Sequence, residues 1–522
     1  MKWMLLAVVL GAALRVPGWF TQEEMKMWGL FETDEEQHVG ITMERYNEWA
    51  EVPVPNPFPN RQFNVRGYGH LNAAVVGLWH GLTGQEVTFG SILRSGRVLA
   101  TLFSLALVAL LYFMALRLGL SPGSAGVASL LLATCDLHAT YGHYALPLSG
   151  YLFAVYLSLY GGIGWLRRPS ASAAACLGIG AAAAIAFKFD VLPAAVGGLM
   201  VVGDLIRRRG RVGLPYLALL GVGLLCFAAA FLLLTWGWSF EEMAGSFTEL
   251  QGQNINVVPS DDHLRDNLVV YPLAVLAGIG LPAFLLSVAG VLWAIRSRWP
   301  LTAAYRYYPT AVIAYVGGLL LLEFGVLWTM DTAFVRRAAI FMPAVALLAA
   351  FALHRLRAGR GAVTAVVVYT LVFAVVGQSH HWFDTRYAFR DWANAELPAP
   401  ARVGVAGIGV KGLDNVRYYG SIDYEYFAFH EQFSSRYTKS MTTPFGLPEC
   451  CEGVYHCHSE AICRQVQEML TGKSDDFVLV KAFKTWDVFP SRLLYHALFG
   501  YYETFLGDVY VYRRVRPAAP EG

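Results

Sequence analysis

Over its first three quarters the chain alternates long apolar runs with short polar connectors, and each run is long enough to carry a helix through about 30 Å of hydrocarbon. Runs at residues 3–19, 96–116, 122–138, 145–165, 172–188, 189–206, 214–236, 269–295, 309–328, 337–354 and 362–379 predict eleven spans. The first follows Lys2 and is interrupted by Arg15. A cleaved signal peptide is the alternative for that run, and the lack of a small-x-small cleavage site favours an uncleaved span. The two spans that meet at Lys188 come from cutting one apolar stretch in two. The alanine-rich segment Ala171 to Ala186 permits close helix packing.

Residues 20–95 hold no stretch clean enough to span, so they predict a large polar loop. It carries Thr33-Asp34-Glu35-Glu36-Gln37-His38, a helical pattern from Ile41 to Glu51, a proline-rich strip from Val52 to Pro59 and an amphipathic piece from Gly69 to Gly84. Trp49, Tyr68 and Trp79 suit segments lying at the headgroup level. Past His380 the pattern turns polar and mixed. Asp391 to Pro398 predicts a short helix, and Arg402 to Ile408, Phe477 to Ala482 and Tyr510 to Val515 predict strands. The expected fold is therefore mainly α: a polytopic helical membrane domain over 1–379 and a small α/β domain over 380–522.

Composition agrees with this pattern. Of 522 residues, 56% are hydrophobic and 15% charged, and the mean hydropathy is +0.44, which overrides the division into several soluble domains that length alone would suggest. The net charge of +2 decides nothing, but the placement of the arginines does. Arg117; Arg167 and Arg168; Arg207, Arg208, Arg209 and Arg211; Arg296 and Arg298; and Arg355, Arg357 and Arg360 follow alternate spans. The positive-inside rule puts those loops and Lys2 in the cytoplasm. The acidic first loop and the C-terminal domain then lie outside, in a multi-pass protein of a bacterial inner or plasma membrane. Basic residues gathered at helix ends, with no patch or stripe, argue against a nucleic-acid partner.

The acidic cluster is the first candidate for chemistry. A carboxylate beside a low-dielectric wall suits a general base, which makes Asp34 the first choice and Glu35 the second, with His38 one turn on. Arg97, Lys188 and the adjacent Arg336 and Arg337 sit at outer helix ends, where short loops are otherwise spared positive charge. Such groups fit recognition of phosphate at the headgroup level; snorkelling to the interface is the alternative. Glu323 is the main charge inside a span.

These motifs together resemble the GT-C superfamily of polyprenyl-phosphate-dependent glycosyltransferases, in particular its protein O-mannosyltransferase and aminoarabinose transferase branch. The likeness lies in Asp34-Glu35-x-x-His38 after the first span, the proline-rich strip ahead of Gly67-Tyr68-Gly69-His70-Leu71, and Arg97 leading the second span. Phe187-Lys188-Phe189-Asp190-Val191-Leu192-Pro193 resembles the family's Lys-aromatic motif. Arg336-Arg337-Ala338-Ala339-Ile340-Phe341-Met342-Pro343 resembles its arginine-led helix start, and Asp391 to Pro398 the beginning of its outer domain. The resemblance covers residues 1 to 408. It implies an inverting transfer of sugar from a polyprenyl-phosphate donor to a hydroxyl-bearing protein, lipid or glycan acceptor at the outer face, among membrane lipids. It also implies Asp34 as base and Arg97, Lys188, Arg336 or Arg337 on the leaving phosphate. One departure stands out. Where many relatives carry a carboxylate, around Tyr141 to Leu148, this chain has Leu146 and Pro147, leaving Asp136 and His143 as substitutes.

No cofactor is demanded by these residues, and a divalent metal is admissible. Cys450, Cys451, Cys457 and Cys463, with His456 and His458, fit a zinc site or disulfides; an oxidising outer compartment favours at least one disulfide, with pairing open among three connectivities. Gly404, Gly407 and Gly409 lack the dinucleotide spacing and read as a strand-end turn. Two other classes remain. A secondary transporter would place ionisable groups near the bilayer midplane, whereas here they gather at one face. A non-catalytic receptor or assembly subunit is kept open by Leu146 and Pro147.

Overall fold

The computed structural model describes residues 1–19, 33–50, 53–55, 67–207, 213–236, 261–297, 309–328, 335–397, 403–406, 416–418, 425–431, 433–434, 450, 460–486, 488 and 507–515. The chain forms two compact units, one built from 1–19 and 34–374 and another that takes in Val375 onward.

The first unit is helical. Its elements are α1 (Lys2–Arg15), α2 (Thr33–Asn47), α3 (Gly67–Thr83), α4 (Phe89–Arg117), α5 (Pro122–Ala133), α6 (Asp136–Tyr141), α7 (Leu148–Arg167), α8 (Ala171–Lys188), α9 (Leu192–Arg207) and α10 (Leu214–Leu234). They are followed by α11 (Asp261–Ile279), α12 (Leu281–Ser297), α13 (Pro309–Trp328), a 3-10 segment Val335–Phe341, α14 (Met342–Arg355) and α15 (Arg360–Trp382), which belongs to the second unit from Val375 on. Six helices among the described residues are long and apolar enough to cross a membrane, and five shorter apolar helices accompany them. The longest, α4, has 29 residues, or about 44 Å of helix. It opens on a capping box in which Thr88 and Ser91 satisfy each other's backbone amides.

Which surfaces are covered follows from side-chain size. Helices α7 and α8 lie against each other through Gly161 and Gly180, where a methyl group would collide with the facing backbone. By contrast α10 buries none of its apolar window; Leu217, Leu224, Leu225, Leu232 and Leu233 are all exposed, a surface tenable against lipid. Helix α3 is two-sided: Tyr68, Asn72, Ala73 and Val76 are buried, while Val75, Leu78, Trp79 and Leu82 form an exposed apolar stripe at helical spacing.

Three expectations are corrected here. The acidic cluster, expected in a loop, occupies the first turn of α2, where carboxylates favour the positive end of the helix dipole. The run 269–295, expected as one span, forms α11 and α12 around Gly280, whose φ of +81° lies in the left-handed region glycine tolerates. The run 122–138 stops at Ala133 and resumes as the short α6.

The second unit holds α16 (Thr385–Glu396), β1 (Val403–Ala406), β2 (Val416–Tyr418), β3 (Tyr426–His430), α17 (Glu460–Leu470), β4 (Phe477–Phe483) and β5 (Val509–Arg514). Strand order is β2-β1-β3-β5-β4; β1 runs parallel to β2 and β3, and β5 antiparallel to β3 and β4. Phe389 and Ala393 of α16 cover one face with Val403, Val405, Ala428, Val509 and Val511. Cys463, Val466 and Met469 of α17 cover the other with Phe427, Phe429 and Tyr512. The three expected strands are present, and β2 and β3 add two more. A disulfide joins Cys450 to Cys463, which removes two of the four thiols a zinc site would have used; Cys451, Cys457, His456 and His458 lie outside the described residues.

Candidate functional site

Two polar clusters occupy the same end of the helical unit, where α1, α8 and α13 finish and α2, α4, α7 and the 3-10 segment begin. The first is centred on Glu35 and Arg97. Arg97 Nε donates to Glu35 Oε1 at 3.1 Å and Nη2 to Oε2 at 3.0 Å, with both side chains buried. The amide of Ala145 donates to Glu35 Oε1 at 2.7 Å, and Arg97 Nη1 reaches the Gly18 carbonyl at 3.4 Å. One ion pair thus ties α2, α4, the turn after α1 and the loop ahead of α7. His143 sits in that loop, with its ring against Gly18 so closely that a Cβ there would lie 2.8 Å from it. Deeper in the bundle, Arg15 is held by Ser104 at 2.9 Å and by His138 Nδ1 at 2.9 Å.

Glu35 Oε1 accepts from both Arg97 and Ala145, and Arg97 divides its guanidinium between Glu35 and Gly18; a buried two-pronged pair of this kind holds helices to each other. Asp34 precedes Glu35 in the first turn of α2, and its side chain lies outside the described residues.

The second cluster is centred on Lys188. Helix α8 ends there because Phe189 turns left-handed, with φ +52° and ψ 23°, a conformation a bulky residue enters only at a cost. Asp190 Oδ1 then accepts the Leu192 amide at 2.9 Å and starts α9. The Lys188 side chain is exposed. Its ammonium lies 4.9 Å from the centre of the Tyr151 ring. The Tyr151 hydroxyl is 2.9 Å from Asp190 Oδ2 and 3.4 Å from Glu323 Oε1. The 3-10 segment that carries Arg336 and Arg337 meets the same helix α7, where the Tyr156 hydroxyl donates to the Ile340 carbonyl at 2.8 Å.

Aromatic rings connect the two clusters. Tyr68 meets His38 edge-on with ring centres 6.3 Å apart, and Phe187 with centres 6.4 Å apart. Its hydroxyl donates to the Gly96 carbonyl, next to Arg97. Gly67 lies so close to the Ala186 carbonyl that no side chain fits. The structure therefore brings Glu35, His38, Arg97 and His143 together, and separately Lys188, Arg336 and Arg337, with Tyr68 and Phe187 between. Among described residues no group of three or more His, Cys, Asp or Glu side chains comes close enough to hold a metal.

Tyr151, Asp190 and Glu323 were not among the sequence candidates. Glu323, the main charge inside a span, and Asp190, next to a basic motif, were the available signals; a tyrosine in an apolar run gives none.

No protein-family model matches this sequence, and a search of curated protein sequences finds no match. Among solved structures, the chain is similar to ArnT from Cupriavidus metallidurans bound to undecaprenyl phosphate, at 16% identity and TM-score 0.48 over 80% of this chain and 86% of that one. It is also similar to the archaeal oligosaccharyltransferase AglB from Archaeoglobus fulgidus in complex with an inhibitory peptide and a dolichol-phosphate. There the identity is 11% and the TM-score 0.46, over 99% and 88% of the two chains. A third likeness is to the S. cerevisiae protein O-mannosyltransferase complex bound to the sugar donor, at 15% identity and TM-score 0.30 over 48% and 34%.

Proposed function

We propose that this chain is a membrane glycosyltransferase that moves a sugar from a polyprenyl-phosphate donor to a hydroxyl-bearing acceptor, with inversion at the anomeric carbon. The observation that carries the reading is that one helix, α7, meets both basic elements, Lys188 over the Tyr151 ring and the segment of Arg336 and Arg337 through the Tyr156 hydroxyl on the Ile340 carbonyl. Lys188, Arg336 and Arg337 are cations at the end of an apolar bundle, where a lipid can enter sideways and present a phosphate.

In the reaction, the acceptor oxygen attacks the anomeric carbon as the bond from that carbon to the phosphate oxygen breaks. The bonding pair leaves on the phosphate, where Lys188, Arg336 and Arg337 stabilise the growing charge. Asp34 takes the acceptor proton. Arg97 and Glu35 act as a brace that fixes the start of α2, and with it Asp34, against α4. His38 and His143 line the same end.

The test is binding of undecaprenyl phosphate to the purified protein in nanodiscs. Loss of a charge-assisted hydrogen bond costs about 1.5–3 kcal/mol, so Lys188→Ala and Arg336→Ala with Arg337→Ala should each weaken binding about tenfold or more. Unchanged affinity in both would remove the phosphate site from this place.

A further inference from the structure

Helix α7 carries two buried tyrosines, and each holds one of the two basic elements. Tyr151 lies in its second turn, with its ring beneath the Lys188 ammonium and its hydroxyl between Asp190 Oδ2 and Glu323 Oε1. A hydroxyl has one proton to give, and the shorter contact takes it to Asp190, two residues after Lys188 across the left-handed Phe189. The ring and the turn are thereby fixed to each other.

Tyr156 acts on the other element. Its hydroxyl donates to the Ile340 carbonyl at 2.8 Å and accepts the Ala344 amide at 3.2 Å. Those are the two groups an uninterrupted α-helix would join, four residues apart. A side chain inserted between them spreads that turn, at the place where the 3-10 segment bearing Arg336 and Arg337 gives way to α14.

We propose that Tyr151 and Tyr156 are positioning residues that set the two halves of a lipid-phosphate site from one rigid helix, Tyr151 aiming Lys188 and Tyr156 aiming Arg336 and Arg337. This rests on the reading of those cations as phosphate ligands. It goes beyond that reading by naming the groups that hold them in place, on successive turns of a helix that need not touch the lipid.

The arrangement makes a pattern of coupling that simple loss of stability does not produce. Undecaprenyl phosphate affinity is measured in nanodiscs for Tyr151→Phe and Tyr156→Phe, alone and combined with Lys188→Ala or with Arg336→Ala and Arg337→Ala. Each tyrosine variant should weaken binding about three- to tenfold. Tyr151→Phe should have no further effect once Lys188 is gone, and Tyr156→Phe none once the two arginines are gone, while the crossed combinations multiply. In turnover assays donor KM should rise and kcat should fall as well, because the same cations stabilise the charge that grows on the leaving phosphate. If the cation variants weaken binding but the tyrosine variants do not, or if effects multiply in the matched pairs, the positioning role is overturned and the phosphate site stands. If the cation variants themselves leave affinity unchanged, both readings fall.

Discussion

Glu35 and Arg97, 62 residues apart in the chain, form a two-pronged ion pair at 3.0 and 3.1 Å with both side chains buried. Removing one partner of such a pair strands the other charge and costs about 3–5 kcal/mol, whereas replacing both with apolar groups of similar volume is often neutral. Glu35→Gln and Arg97→Ala are therefore expected to lower yield and melting temperature sharply in detergent, and Glu35→Leu with Arg97→Met to restore much of the loss. Single variants that fold normally but lose turnover would instead make these residues ligands of the substrate.

In the C-terminal unit, His430 is buried, and burial together with the Arg386 charge holds its imidazole well below the usual 6.5. The folded state keeps this residue neutral while the unfolded chain takes up a proton as pH falls below about 6.5. Unfolding then binds more protons, so stability is present above that pH and declines below it, by at most about 1.4 kcal/mol per pH unit for one proton. Melting temperatures of the full chain from pH 8 to 5.5 should show this acid slope, and His430→Gln should flatten it. Parallel slopes for the two proteins would mean that another group titrates.

The bond between Cys450 and Cys463 closes a separation of 13 residues. A loop of that size restrains the unfolded chain by about 3 kcal/mol. Cys450→Ser should therefore lower the stability of the C-terminal unit by about 2–4 kcal/mol in denaturant titration. Thiol labelling of the denatured, unreduced protein checks the premise: a labelled Cys450 or Cys463 would refute the bond.

Much of this architecture was legible because periodicity and punctuation are local. The cut after Lys188 could be placed from one basic residue in an apolar stretch, and the chain makes it with Phe189 left-handed. Arg336 and Pro343 marked a helix start, found as a 3-10 turn leading into α14. What the sequence withheld was pairing. Nothing near Glu35 says that its partner is Arg97, and Tyr151 and Tyr156 look like any aromatic in an apolar run until Asp190, Glu323, Ile340 and Ala344 close around them. Strands β2 and β3 were missed for another reason. They are three and five residues long and owe their strand state to pairing, β2 at the sheet edge with β1 and β3 between β1 and β5, with little intrinsic pattern.

Asp34 is the residue on which the proposed chemistry turns. It lies in the first turn of α2, immediately before the braced Glu35, so the backbone that carries it is pinned to α4 through Arg97. A hydroxyl acceptor is a weak nucleophile until a base within hydrogen-bond reach takes its proton, a contribution of about 10²–10⁴ in rate. Asp34→Asn preserves shape and removes basicity, so turnover should fall about a hundredfold or more while undecaprenyl phosphate affinity holds. The same change also takes a negative charge from the start of a helix, which costs only about 0.3–1 kcal/mol; expression and melting temperature should barely move. Stability and turnover thus separate at two adjacent positions: Glu35→Gln loses the fold, and Asp34→Asn loses the reaction. Near-normal transfer by Asp34→Asn, with transfer abolished in Asp136→Asn, would move the base to α6 and leave the phosphate site where it is.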